Sequence, residues 1–128
     1  MARFVILEHD WPSRHYDFML ERQDALETWR LPKLPTFNEN LYATYLAPHR
    51  LAYLDYEGPV SGNRGVVRRI EAGEYLELEW TSSRRVVELQ GLSLRGRLEL
   101  VVESVSSASA AGADPSSSIW LCRFEKRD

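Results

Sequence analysis

The chain has 128 residues, 44% of them hydrophobic and 27% charged, with a formal net charge of −3. That balance fits one soluble domain around a single core and excludes a largely disordered chain. The acidity excludes a protein that coats nucleic acid through its overall field, but not one with a local basic cleft.

In chain order, Phe4 to Leu7 and Arg14 to Leu20 read as short strands. The opening apolar stretch is too short for a signal peptide and lacks a small-residue cleavage site. No apolar run approaches the ~20 residues that cross a bilayer, so a cytoplasmic protein with no membrane partner is expected. Glu39 to Tyr45 and a turn near His49 are the helix candidates. Gly58-Pro59, Ser61-Gly62-Asn63 and Ala72-Gly73 read as turns. Tyr75 to Trp80 alternates apolar and acidic residues, the pattern of a strand with one buried face. Arg85 to Leu89, Arg97 to Val102 and Ile119 to Phe124 supply further strands. Ser104 to Ser118 is dominated by Ser and Ala, too little apolar bulk to offset the entropy of ordering it. It reads as a flexible hairpin loop inside a single domain spanning 1–128. Many short strands at this spacing predict a barrel or sandwich with one or two short helices.

Cys122 is the only cysteine, so neither an internal disulfide nor a thiolate metal cluster is available. Any metal site must use nitrogen and oxygen ligands. Of the three histidines, two fall in His9-Asp10-Trp11-Pro12-Ser13-Arg14-His15-Tyr16-Asp17. In a strand His15 and Asp17 share a face, and a turn at Trp11-Pro12 brings His9 towards them. Two imidazoles and a carboxylate suit Mn, Fe or Zn. The same residues also fit a strand-surface pair with a solvated His9. His49 and Tyr53, four apart, share one side of a helical turn. A histidine there serves as a proton donor or oxyanion stabiliser; equally, Tyr53 fits a core aromatic. A different enzyme class, an Fe(II) oxygenase, would use His15, Asp17 and His49 as a facial triad and leave His9 dispensable.

His9, five residues, then His15-Tyr16-Asp17-Phe18-Met19-Leu20-Glu21 resembles the first motif of the 3'-phosphoesterase domain of bacterial DNA ligase D. Trp29-Arg30-Leu31-Pro32-Lys33-Leu34-Pro35 resembles that family's Trp-x-Val-Pro-Lys-Gly-Pro, and His49 to Gly58 its His-Pro-x-x-Tyr-x-x-Phe-Glu-Gly. The closing strands match more loosely around Leu94 to Leu98 and Trp120 to Cys122. The resemblance implies a mainly β fold: a small closed or partly closed barrel with short flanking helices. It implies a divalent metal, manganese ahead of zinc, held by His9, His15 and Asp17. His49 would stabilise the scissile phosphate or act as a general acid, with Tyr53 beside it. The implied activity trims a 3'-phosphate or terminal ribonucleotide from DNA ends in double-strand break repair by non-homologous end joining.

Departures from the pattern give the competing reading. Met19 stands where the family carries an arginine aimed at the phosphate, and Leu7 where it often carries a glutamine. The Gly-rich hairpin is shortened to Ser61-Gly62-Asn63-Arg64-Gly65. A weakened or inactive module that binds metal and DNA ends fits these losses. Arg14, Arg64, Arg68 and Arg84 are the candidate phosphate contacts that would compensate. Trp11 and Tyr16 are candidates to stack on a terminal base, while Trp29 and Trp80 read as core. Partners implied are primer-template or RNA-tipped DNA 3' ends, with ligase, polymerase or Ku proteins in trans, at the nucleoid of a bacterial cytoplasm.

Overall fold

A computed structural model describes residues 2–104 and 118–126. Nine strands are present among the described residues: β1 Ala2–His9, β2 His15–Arg22, β3 Ala25–Leu31, β4 Asn40–His49, β5 Gly58–Pro59, β6 Val66–Trp80, β7 Arg84–Gly91, β8 Arg95–Ser104 and β9 Ile119–Glu125. Eight of them close into an antiparallel barrel in the order β1-β2-β3-β4-β9-β8-β7-β6, with β6 returning to pair with β1. The expected mainly β barrel is thus the fold, and it is closed. The only helical element among the described residues is a 3-10 turn over Leu51–Leu54, next to the turn expected near His49. Residues 105–117 of the Ser/Ala-rich loop lie outside the described residues.

The barrel is built on period-two patterning. Phe4 and Ile6, Phe18 and Leu20, Trp29 and Leu31 point inwards, joining Leu89, Leu98, Trp120 and Phe124 in the main core. Trp29 sits at its centre, edge-on to Trp120 with ring centroids 5.7 Å apart. Cys122 is buried among these residues, and burial pushes its thiol up to about 12. It is therefore an inert hydrophobe rather than a nucleophile.

Four expectations are corrected. Glu39 to Tyr45 is not helical: it enters β4, where Leu41 and Ala43 are buried and Tyr42 is exposed. Pairing with β9 imposes that two-residue period, overriding local helix preference. Ala72-Gly73 is not a turn but lies within β6, where β6 pairs with β1 on one side and β7 on the other. A Cβ on Gly73 would meet the Gln90 carbonyl and lie 2.7 Å from Gly91 Cα, so the glycine marks close backbone approach. Gly58-Pro59 forms the two-residue β5, paired with Val66 and Val67. On β6, moreover, Leu76 and Leu78 are exposed along with Glu77 and Glu79 while Tyr75 is buried, so the stretch has no continuous buried apolar face. Pairing with β1 ends at Tyr75, beyond which β6 pairs only with β7, and a bulge between Glu77 and Glu79 takes Leu78 out of that register.

β1 is buried on both faces. Its outward set, Val5 and Leu7, packs with Met19 of β2, Leu26 of β3, Val67 of β6 and Leu54 in a second, smaller core. Leu51, Tyr53 and Val60 cover it from the segment between β4 and β6. This segment lies over the outer barrel wall and forms one side of a cleft.

Candidate metal and phosphate site

The registers of β1, β2 and β3 assemble the site rung by rung on the outer wall. His9 of β1 pairs with Val67 of β6 and His15 of β2. One rung along, Leu7 pairs with Asp17, which pairs in turn with Arg30 of β3. The next rung pairs Val5 with Met19 and Met19 with Thr28. Odd-numbered residues of β1 and β2 therefore carry two histidines and an aspartate at one end and an apolar floor at the other.

His9, His15 and Asp17 each offer a ligand atom, and these atoms lie within 4.8 Å of one another. The two imidazole rings meet edge-on, with centroids 4.9 Å apart. Backbone carbonyls set both tautomers. His15 Nδ1 donates to the Ser13 carbonyl at 2.9 Å, which leaves Nε2 as a bare acceptor. His9 Nε2 donates to the Arg64 carbonyl at 2.7 Å, leaving its Nδ1 bare. Two buried atoms, His15 Nε2 and Asp17 Oδ1, have no hydrogen-bond partner. They face each other at 3.6 Å, so two acceptors converge without a donor between them. Buried acceptors are costly when left unpaired. A divalent cation would satisfy both, and this donor set suits one.

Gly65 makes the His9 anchor geometrically possible. It has φ +79° in the turn before β6, and a Cβ there would collide with the Asp10 carboxylate and lie 2.6 Å from Trp11 Cβ. Asp10 Oδ1 accepts the Val66 N–H at 2.8 Å, tying the 61–65 turn to the β1–β2 loop. That tie brings the Arg64 carbonyl to His9.

The cleft beside these three candidate ligands has a volume of about 250 Å³. Leu7, Met19 and Val67 give it an apolar lining, and His9, Asp17, Arg30, His49, Tyr53 and Arg64 give it a polar one. His49 Nδ1 donates to the Ala47 carbonyl at 2.9 Å, leaving Nε2 free for a ligand among the described residues. The His49 and Tyr53 rings meet edge-on with centroids 5.7 Å apart. His49 is outside the converging ligand group, which is His9, His15 and Asp17 rather than the set an oxygenase triad needs. Trp11, joined to Pro12 by a cis peptide bond, lines the cleft and is partly exposed. Tyr16 lies on the other side of β2, its hydroxyl donating to Glu8 at 3.3 Å. Trp29 is in the main core, and Trp80 packs at its margin.

The four arginines named from sequence are dispersed. Arg64 lines the cleft, but its guanidinium bonds the Ser61 carbonyl at 2.7 Å and the Ser61 hydroxyl at 3.2 Å. Arg14 is exposed in the loop before β2 and does not line the cleft. Arg68 pairs with Glu8 at 3.0 Å, and Arg84 with Glu99 and Glu79 on strands outside the site. Arg30 is the cleft cation that motif spacing overlooks. The signal was available: the two-residue turn Gln23-Asp24 sets Arg22 opposite Ala25, and counting back along both strands places Arg30 opposite Asp17.

Barrel and cleft together define a small all-β domain with a candidate metal centre on its outer wall. Residues 7–102 match the family described as the DNA Ligase D 3'-phosphoesterase domain, and the chain belongs to that family. It is 35% identical over 107 residues to the multifunctional non-homologous end joining protein LigD of Mycobacterium bovis. That match covers 77% of this chain and 14% of the mycobacterial protein. The LigD proteins of Pseudomonas aeruginosa and Mycolicibacterium smegmatis are 34% identical over 62 residues and 40% over 60. These matches cover 47% and 45% of this chain and 7% and 8% of those proteins. No helix among the described residues is long and apolar enough to cross a membrane.

Proposed function

We propose that this domain hydrolyses phosphoesters at nucleic acid 3' ends, removing a 3'-phosphate or a terminal ribonucleotide during end joining. The observation that carries the reading is the pair of buried, unpartnered acceptors, His15 Nε2 and Asp17 Oδ1, converging with His9 beside a cleft lined by His49 and Tyr53. His9, His15 and Asp17 would hold a divalent metal, manganese by preference. When bound, such an ion supplies Lewis-acid polarisation of a phosphoryl oxygen and a more acidic water.

The protein's own groups do the rest. Ser13 and Arg64 carbonyls hold the two imidazoles in their acceptor tautomers and fix their ring planes. In hydrolysis, the oxygen of water bonds to phosphorus, the bond from phosphorus to the sugar O3' breaks, and that oxygen leaves with a proton. His49 Nε2 is placed to stabilise charge on the phosphoryl group or deliver that proton, its ring braced by the Ala47 carbonyl and Tyr53. Trp11, exposed at the cleft, offers a stacking surface for the terminal base. The partners that follow are DNA 3' ends, with ligase, polymerase or Ku proteins acting in trans, in the bacterial cytoplasm near the nucleoid. Arg14, Arg68 and Arg84 lie outside the cleft and would reach only more distant phosphates.

A second reading has its own observation: the apolar side of the cleft. Leu7 and Met19 are fully buried and offer no donor to a phosphate, as a weakened module that binds metal and DNA ends would have. One assay separates the two. Purified protein with manganese should release inorganic phosphate from a 3'-phosphorylated primer-template, and chelation should stop the release. If a family member releases phosphate in the same assay and this protein binds the substrate without cleaving it, the binding-module reading replaces the hydrolase.

A further inference from the structure

We infer that Arg30 is the phosphate-gripping cation of this cleft, reaching in from β3 across an apolar floor that supplies no donor of its own. The inference rests on the 3'-phosphoesterase reading and names which side chain selects the phosphorylated end.

The cleft holds few cations. Two arginines line it, Arg30 and Arg64, and no lysine does. Arg64 is committed to its own turn through two bonds to Ser61. Lys33, near Arg30 in sequence, pairs with Glu39 at 2.9 Å. Arg30 differs from both. Its side chain is 43% exposed, and its nearest charged partner is Asp17 Oδ1, 3.7 Å from Nε. That distance is too long for a hydrogen bond. Among the described residues, then, Arg30 makes an ion pair without a hydrogen bond, and its guanidinium fork is open.

Register supplies the second part. Arg30 and Asp17 are direct partners across β2 and β3, so their Cβ atoms start about 5 Å apart. A phosphate next to the His9, His15 and Asp17 group lies beside the Arg30 stem. Leu7 and Met19, the other outward side chains of these rungs, are buried and apolar. A charge at Arg30 can therefore serve two anions in turn. It faces the Asp17 carboxylate in the free protein and a terminal phosphate when substrate is present. A planar guanidinium bonds two phosphate oxygens at once, which an ammonium cannot do.

The test measures binding of a labelled DNA primer-template ending in a 3'-phosphate or a 3'-hydroxyl, by fluorescence anisotropy in chelator and at fixed salt. The wild type should prefer the phosphorylated end by about tenfold or more. Arg30→Gln should erase that preference while leaving 3'-hydroxyl affinity within about threefold, and Arg30→Lys should keep part of it. With manganese, Arg30→Gln should raise KM for the phosphorylated end more than it lowers kcat. A manganese titration of Arg30→Gln, expected within about threefold of wild type, shows that the ligands remain in place. An Arg30→Gln variant that retains the full preference overturns the assignment of Arg30. A wild type with neither the preference nor manganese-dependent phosphate release overturns the underlying reading instead.

Discussion

Two buried carboxylates in this barrel show opposite treatment of the same charge. Glu71 is 3% exposed and Asp17 is 4% exposed. The Glu71 carboxylate accepts from the backbone N–H groups of Ala72, Leu92, Ser93 and Leu94 and from the Ser93 hydroxyl, at 2.6–3.3 Å. Burial pushes this carboxyl up, but the Ser93 hydroxyl and the surrounding N–H groups outweigh it and hold the group below the usual carboxylate range. Asp17 Oδ1 has no hydrogen-bond partner and faces a bare imidazole nitrogen. Glu71 is the internal cap of the β7–β8 turn, whereas Asp17 keeps an unmet acceptor at the candidate metal site, with the Arg30 guanidinium 3.7 Å away. Burial alone does not separate these roles; completeness of hydrogen bonding does.

Either carboxylate can be removed by substitution, and the largest effect is expected at Asp17. Asp17→Asn should lower manganese-dependent phosphate release by about 10²-fold or more while the melting temperature holds or rises, as measured by steady-state assay and calorimetry. Glu71→Ala should do the reverse. It strands three N–H groups of the 92–94 turn and should cost about 2 kcal/mol of stability by denaturant unfolding, with manganese affinity unchanged. Gly65→Ala tests the link between turn and ligand. Strain at positive φ and the clash with Trp11 should destabilise by about 1–3 kcal/mol. Displacing the Arg64 carbonyl from His9 should weaken manganese binding about tenfold in the same titration. The smallest effect is in pH. Because the folded-state pKa of Glu71 is depressed below its ordinary value of 4.5, its stabilising contribution is complete above that value and fades as pH falls through the folded one. Wild type should lose stability over that acidic range more steeply than Glu71→Gln, in unfolding curves collected by pH.

Much of the site was legible in the sequence because its chemistry sits on a short, strongly patterned segment. His9, His15 and Asp17 fall within nine residues, and strand period alone puts the last two on one face. Period could not say which face was inside. On β1 and β2 both faces are buried, one in the barrel and one beneath the 50–65 segment, so a continuous apolar run hides the outward wall that carries the site. Alternation also misleads at Leu76 and Leu78, which are exposed where β6 runs past the end of its pairing with β1. Glu39 to Tyr45 became strand for a related reason: long-range pairing with β9 outweighs local preference. Motif spacing does not reveal Arg30, whose place beside Asp17 is set by cross-strand register between residues thirteen apart along the chain.

Manganese binding followed by electron paramagnetic resonance tests most directly whether His9, His15 and Asp17 form one divalent-metal site. The wild type should hold one manganese tightly per chain, lost in both His15→Ala and Asp17→Asn while circular dichroism shows the barrel intact. Manganese that remains free in the presence of folded wild-type protein, or binding that survives both substitutions, would contradict such a site.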